Sequence, residues 1–189
     1  QAAIRNPNQT PLVFEDFENY QPSLGRPAAF LAKPIIDDEQ QTLGILAIQL
    51  PIERLNKIMQ ATAGMGKSGE TYIVGPDLLM RSDSRFSKQS TILKTKVDTL
   101  SVSKALKKKA GVHIVKDYRG ISVLSAYTPL RVVDTNWAVL AEIDEAEVLA
   151  PIKKMQDFMI IAGIIIGIII AILGTIFARH LSNPIKSIA

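Results

Sequence analysis

From Phe158 to Ala178 the chain runs for 21 residues, FMIIAGIIIGIIIAILGTIFA, without one formal charge. As an α-helix rising about 1.5 Å per residue, this run measures roughly 31 Å, the depth of a bilayer's hydrocarbon core. The other home for such a helix is the middle of a large globular core. A chain of 189 residues has no core big enough to surround it. The run therefore predicts a transmembrane helix, and everything else lies on one side of a membrane or the other.

With the span set aside, the net charge of +4 loses its apparent meaning. Residues 1–157 carry 20 of the 22 Lys+Arg and all 18 Asp+Glu, close to balance. The run Lys107-Lys108-Lys109 has no interleaved aromatics and reads as a solvated helix end, so no nucleic-acid surface is expected. Cysteine is absent, which excludes disulfide and thiol chemistry and suits an oxidising compartment. Lys153 and Lys154 flank the span together with Asp157, whereas Arg179 and Lys186 follow it with no acid. By the positive-inside rule this small difference favours the cytoplasm for the second flank. Gln1 is preceded by no Met or leader, so a further segment with another hydrophobic anchor is expected upstream.

The first 25 or so residues show no clear period and read as irregular. AAFLAKPII (28–36) and TLGILAIQL (42–50), joined by the polar DDEQQ, read as a hairpin. IERLNKIMQATA (52–63) sets Ile52, Leu55, Ile58 and Met59 at helical spacing. Then come GETYIVG (69–75), LLMRS (78–82), a long polar connection, a short helix over 98–110 capped by Asp98 or Thr99, and three further strands at 111–117, 121–130 and 136–143. These predict an α+β domain with a five-stranded antiparallel sheet, one helix inserted after its second strand, and one sheet face left open. Asp144 with Glu147 three residues on reads as a helix start. No loop signal separates that start from the span, and Pro151 is expected to kink the helix without ending it.

Ala61 followed by Gly66-Lys67-Ser68 fits the loosest form of a phosphate-binding P-loop. Such a loop needs a strand before it and a helix after it, because the helix N-terminus holds the anion. Here the helix comes first and the strand second, so GMGKSGE reads as a connector whose glycines supply positive φ. No catalytic constellation is evident. His113 and His180 lack metal-ligand spacing, no GxSxG turn accompanies the serines, and Asp83 between two serines reads as a turn that caps local amides. The fragment is expected to be non-catalytic, with neither metal nor other cofactor.

GMGKSGETYIVGPDLLMRSDSRF (64–86) resembles the membrane-proximal module of bacterial Cache-type, PAS-like sensor domains. DYRGISVLSAYTPL (117–130) and WAVLAEIDEAEVLAPI (137–152) resemble that module's later strands and exit helix. Residues 20–59 are similar to the end of the distal module of double-Cache receptors with its connecting helix. ARHLSNPIKSIA (178–189) is similar to the opening of a HAMP linker, matched at Arg179, Ser182, Pro184 and Ile185. The cytoplasmic orientation of this flank comes mainly from that resemblance. The resemblance implies five pieces: 1–63 as a truncated distal module with connecting helix, 64–143 as the proximal module, 144–157 as exit helix, 158–178 as the span and 179–189 as the HAMP start. It implies a ligand-sensing, signal-transducing region of a methyl-accepting chemotaxis protein in the inner membrane, with a transmembrane histidine kinase or nucleotide cyclase as the alternative. The implied partners are a small-molecule ligand or a ligand-loaded binding protein, membrane lipid and the cytoplasmic signalling domains. Most of the distal module is missing, so no ligand identity carries over.

On the residues themselves, Tyr72, Arg81, Asp83, Tyr118 and Tyr127 are polar-tipped groups on or beside the strands of the open sheet face. Either they orient a small acid or amine there, or the tyrosines pack in the core and Arg81–Asp83 is a local ion pair. Trp137 reads as core. In the span, Gly163, Gly167, Ala171 and Gly174 share one face at spacings that admit close helix approach, with a parallel homodimer as the expected partner.

Overall fold

The computed structural model describes residues 12–39 and 41–182. Two compact units emerge, Gln1–Glu147 and Val148–Ala189. The first contains two antiparallel sheets. One has the order β1-β2-β3, built from β1 (Val13–Tyr20), β2 (Arg26–Ile36) and β3 (Thr42–Gln49). Helix α1 (Ile52–Met59) leads to the second sheet, of order β4-β7-β6-β5, with β4 (Glu70–Val74), β5 (Gly111–Lys116), β6 (Ser122–Val132) and β7 (Thr135–Asp144). Helix α2 (Leu100–Leu106) lies between β4 and β5 in the chain and packs on β5, β6 and β7. The α+β class with antiparallel sheets and flanking helices is as expected.

The predicted hairpin is β2–β3, and DDEQQ turns because Asp37 Oδ1 accepts the amides of Glu39 and Gln41 at 3.0 and 2.7 Å. Thr99 is the cap of α2, its side chain accepting from Val102 N. Two expectations fail for identifiable reasons. The segment read as irregular contains β1, whose register against β2 shifts between Glu15 and Glu18. That bulge puts the buried Phe14 and Phe17 three residues apart, which erases the period-two signal of a strand. Conversely, 78–82 is no strand. Leu78 adopts φ of 67°, and the segment makes only the isolated bridges Val74↔Met80 and Leu79↔Lys96. The sheet therefore has four strands rather than five.

Alternation in β4 and β7 sends Tyr72, Val74, Ala138 and Leu140 under α2, where they meet Val102 and Ala105. The odd-numbered partners Ile73 and Trp137 face the other way and form a second core with Phe14, Phe17 and Ile92. Trp137 meets Phe14 edge-on at 5.4 Å between ring centroids and Phe17 at 5.9 Å. The sheet face expected to stand open is thus partly filled by β1. The long connection after β4, which reads as polar, buries Ile92 and Val97 completely.

Helix α3 (Glu145–Ser182) continues through Pro151 and makes up the described part of the second unit. It begins immediately after β7. Its apolar residues from Phe158 onward are exposed along the whole run, and its length and composition are those of a membrane span.

Candidate functional site

Directly opposite each other on β4 and β7 stand Glu70 and Glu142, each only 2% exposed. They share the α2-covered sheet face with Tyr72, and Ser125 of β6 is the next cross-strand partner of Glu142. The Tyr72 hydroxyl donates to Glu142 Oε2 at 2.7 Å. Both oxygens of Glu70 accept, Oε1 from the amide of Arg85 at 2.9 Å and Oε2 from the Tyr118 hydroxyl at 2.8 Å. Tyr118 also contacts Ser84 Oγ at 2.7 Å and stands edge-on to Tyr72 at 5.6 Å. Among the described residues, three buried side-chain atoms have no partner: Glu142 Oε1, Ser125 Oγ and Ser101 Oγ.

Burial in this layer disfavours charge. It pushes the Glu142 carboxyl above its ordinary value, with the negative charges of Asp117 and Glu70 adding to the effect against the hydrogen bond from Tyr72. Burial likewise raises the Tyr72 hydroxyl, reinforced by Glu142, and raises that of Tyr118, reinforced by Glu70.

The five residues singled out in the sequence occupy three places. Tyr72 and Tyr118 meet at the glutamate pair. Tyr127 lies in the same core, its hydroxyl 2.9 Å from His113 Nε2, which also meets Lys104 Nζ at 2.7 Å. Arg81 is elsewhere, its guanidinium forked on Asp16 at 2.9 and 3.0 Å and 2.9 Å from Asp77. Burial works against the Arg81 charge, but the hydrogen bonds it donates to Asp16 and Asp77 outweigh it and hold the pKa above its ordinary value. A methyl at Gly75 would collide with this guanidinium, so glycine is what lets Arg81 lie flat there. Asp83 does not pair with Arg81. It exchanges two hydrogen bonds with Asn56 at 2.7 and 2.8 Å and accepts from Ser90 and Thr91 at 2.8 Å.

Glu70 and Glu142 were missed by the sequence reading, although Glu70 sits two residues before Tyr72 and so on its face. Nothing local marks Glu142 as its opposite number, because register joins segments 72 residues apart. Two clefts open in this unit: one of about 580 Å³ lined by Leu24, Arg26, Leu50, Pro51 and Glu53, the other of about 270 Å³ lined by Met65, Val112, Leu124, Glu142 and Ile143.

The P-loop look-alike does hold an anion, but an internal one. The amides of Lys67 and Ser68 each donate to Glu147 at 2.8 Å, and Ser68 Oγ donates to the same carboxylate while accepting the Asp144 amide at 3.1 Å. Asp144 and Glu147 therefore make no capping box with each other; Asp144 Oδ1 instead accepts from Arg119 at 3.0 Å. Gly66 has φ of 64°, and a Cβ there would strike Glu147 Oε1. The Lys67 amide first, then the Ser68 hydroxyl and amide, hold the Glu147 carboxyl at about 2, against an ordinary 4.5. A depressed carboxyl pKa stabilises the fold above its unfolded value, and that contribution disappears as pH falls from about 4.5 towards 2. Glu147→Gln is expected to speed hydrogen exchange at the Lys67 and Ser68 amides several-fold at neutral pH and to remove this acid dependence. Unchanged exchange would mean the carboxylate does not hold the loop.

Of the residues expected beyond the first unit, Gly163, Gly167 and Gly174 have open space where a Cβ would stand, and Ala171 and Arg179 are exposed on α3. Ser182 ends α3, while its side chain and Pro184 lie outside the described residues.

A PAS-like α+β module running directly into one apolar helix defines the class: a sensor domain built onto a membrane anchor. Residues 5–152 match the family model described as Cache domain, and the chain belongs to that family. The described Probable chemoreceptor y4sI of Sinorhizobium fredii is 26% identical over 99% of this chain, which spans 24% of that protein. Among solved structures, the periplasmic sensory domain of the Campylobacter jejuni chemoreceptor Tlp1 superposes with a TM-score of 0.59 at 18% identity, covering 76% of this chain and 53% of that one. The extracellular domain of rpHK1S-Z16, assigned as a histidine kinase, superposes with a TM-score of 0.56 at 17% identity over 78% of this chain and 59% of that one. The chain thus spans about half the length of these ectodomains. The Cache fold is itself non-catalytic, and a Cache domain followed, among the described residues, by a single membrane-length helix is consistent with inner-membrane topology and a periplasmic sensor.

Proposed function

We propose that the chain is the ligand-sensing and transmembrane signalling region of a homodimeric bacterial chemoreceptor of the methyl-accepting type. The observation that carries this reading is the continuity of a Cache domain with an apolar helix, β7 ending at Asp144 and α3 starting at Glu145. A small molecule, or a binding protein loaded with one, biases two arrangements of the sensor domain, and its difference in affinity for them sets the output. The tyrosine and glutamate layer around Tyr72, Tyr118 and Tyr127 is where a ligand is read, with Arg81 and Asp83 holding the neighbouring segments in place. Residues 1–63 belong to the distal part of a double-Cache ectodomain and 64–143 to the proximal module. Gly163, Gly167, Ala171 and Gly174 pack the two spans of the dimer, and Arg179, Ser182 and Pro184 open a HAMP linker to the cytoplasmic signalling domains.

Trp137 is the single tryptophan and is buried in the core, so its fluorescence reports unfolding of the sensor domain alone. With the 189-residue chain in nanodiscs, thermal unfolding followed by this signal is to be screened against amino acids, organic acids and amines. At least one compound is expected to raise the midpoint in a saturable way. A screen in which none does so would favour a membrane-anchored module that binds no small ligand.

A further inference from the structure

Glu142 has one hydrogen-bonded oxygen and one without a partner, and this asymmetry has a chemical solution. The unpartnered Oε1 belongs to the cross-strand neighbour of Ser125, whose Oγ is unpartnered too. Ionised, Glu142 Oε1 would be a buried charge with no donor to it; protonated, the carboxyl is neutral and the cost of burying it falls. An ionised carboxylate at the same place would instead stand opposite Glu70 across the β4–β7 ladder, where like charges repel at close range.

Among the described residues facing this layer, no cation is free to neutralise it. On the same face, β4 contributes Glu70 and Tyr72, β5 contributes His113, β6 contributes Tyr127, and β7 continues to Asp144. The β5–β6 turn brings Asp117, Tyr118 and Arg119, and α2 brings Lys104. Arg119 is committed to Asp117 at 2.6 Å and Asp144 at 3.0 Å. Lys104 is committed to His113. The Arg85 guanidinium bonds the carbonyls of Lys67 and Gly69, leaving only its amide for Glu70.

We propose that the Glu142 carboxyl, enclosed between β4 and β6 beneath α2, is a proton-binding site through which this sensor domain responds to external pH. With the proton bound, Glu142 is neutral opposite Glu70 and keeps the hydrogen bond from Tyr72. Release of the proton to solvent leaves a buried carboxylate facing Glu70 and loosens the pairing of β7, the strand that ends two residues beyond Glu142 where α3 begins. That the proton acts as a stimulus rests on the sensory reading above; the proton site itself does not.

The direction of the pH dependence follows. A carboxyl whose folded pKa lies above its unfolded value stabilises the fold fully below the unfolded value, about 4.5. That contribution disappears as pH rises through the folded value. The test uses the 189-residue chain in nanodiscs with carboxyl-labelled glutamate, read by infrared spectroscopy and by the thermal midpoint across pH. The wild type is expected to show a protonated-carboxyl band above pH 4.5 that titrates away as pH rises, with the midpoint falling in parallel. Glu142→Gln keeps the acceptor for Tyr72; it is expected to lose the band and flatten the midpoint profile. Should that variant fold poorly, Glu70→Gln carries the test, moving the titration to lower pH by removing the opposing charge. Absence of a protonated band in the wild type, or a band unaffected by both substitutions, overturns the site. A titrating band with a pH-independent midpoint overturns its coupling to the fold. A failed ligand screen bears on neither outcome, so the two readings fail separately.

Discussion

Replacing Arg81 with alanine is expected to destabilise the sensor domain by about 3 kcal/mol, because it leaves the half-buried Asp16 carboxylate without its charge partner. The Arg81 side chain is 3% exposed and its fork holds both oxygens of Asp16, 65 residues away on β1. Asp16 would keep only its own-turn amide at Phe17 and the Trp137 indole N–H, at 3.2 Å from each oxygen. The loss is therefore larger than that of a surface ion pair, for which about 1 kcal/mol is an upper figure. Urea unfolding of the chain in nanodiscs, followed through Trp137 fluorescence, measures it directly. Arg81→Lys keeps the charge and loses the fork, so it should fall between wild type and alanine. A loss below about 1 kcal/mol for Arg81→Ala would show that this pair does not tie β1 to the proximal sheet.

Truncating Trp137 to alanine is expected to cost a similar amount, about 3–5 kcal/mol, through a different mechanism. The indole is 2% exposed, packs against Phe14 and Phe17, and shares their core with Ile73 and Ile92. Its removal opens a cavity between β1 and the sheet and strips Asp16 of a donor. Circular dichroism replaces fluorescence as the readout, since the variant has no tryptophan. Because Arg81 and Trp137 share Asp16, the double variant should lose less than the two single losses combined, by about 0.5–3 kcal/mol. Strict additivity would mean that the two residues stabilise separate regions.

Both predictions concern contacts that no local pattern announces. The sequence reading narrows the α2 cap to Asp98 or Thr99 and finds the β2–β3 turn at DDEQQ and the uninterrupted helix through Pro151, since each depends on residues within a few positions. It misses β1 because a bulge breaks alternation between Phe14 and Phe17. It assigns a strand to 78–82 because composition there suits one, while Leu78 in a left-handed conformation and the inward turn of Arg81 prevent pairing. It finds Tyr72, Tyr118 and Tyr127 but not the glutamates to which the first two donate.

The uncharged run 158–178 determined by itself that the chain has a membrane-spanning helix, because its length and lack of charge match a hydrocarbon slab whatever surrounds it. The order of strands and helices likewise determined the α+β class, since periodicity and caps are local properties. Only the tertiary structure decided that Lys67 and Ser68 hold the carboxylate of Glu147 rather than a phosphate, that Arg81 answers Asp16 rather than Asp83, and that Glu70 stands against Glu142. Those pairings depend on strand register and on where distant segments cross, and burial then sets the charge each group can carry.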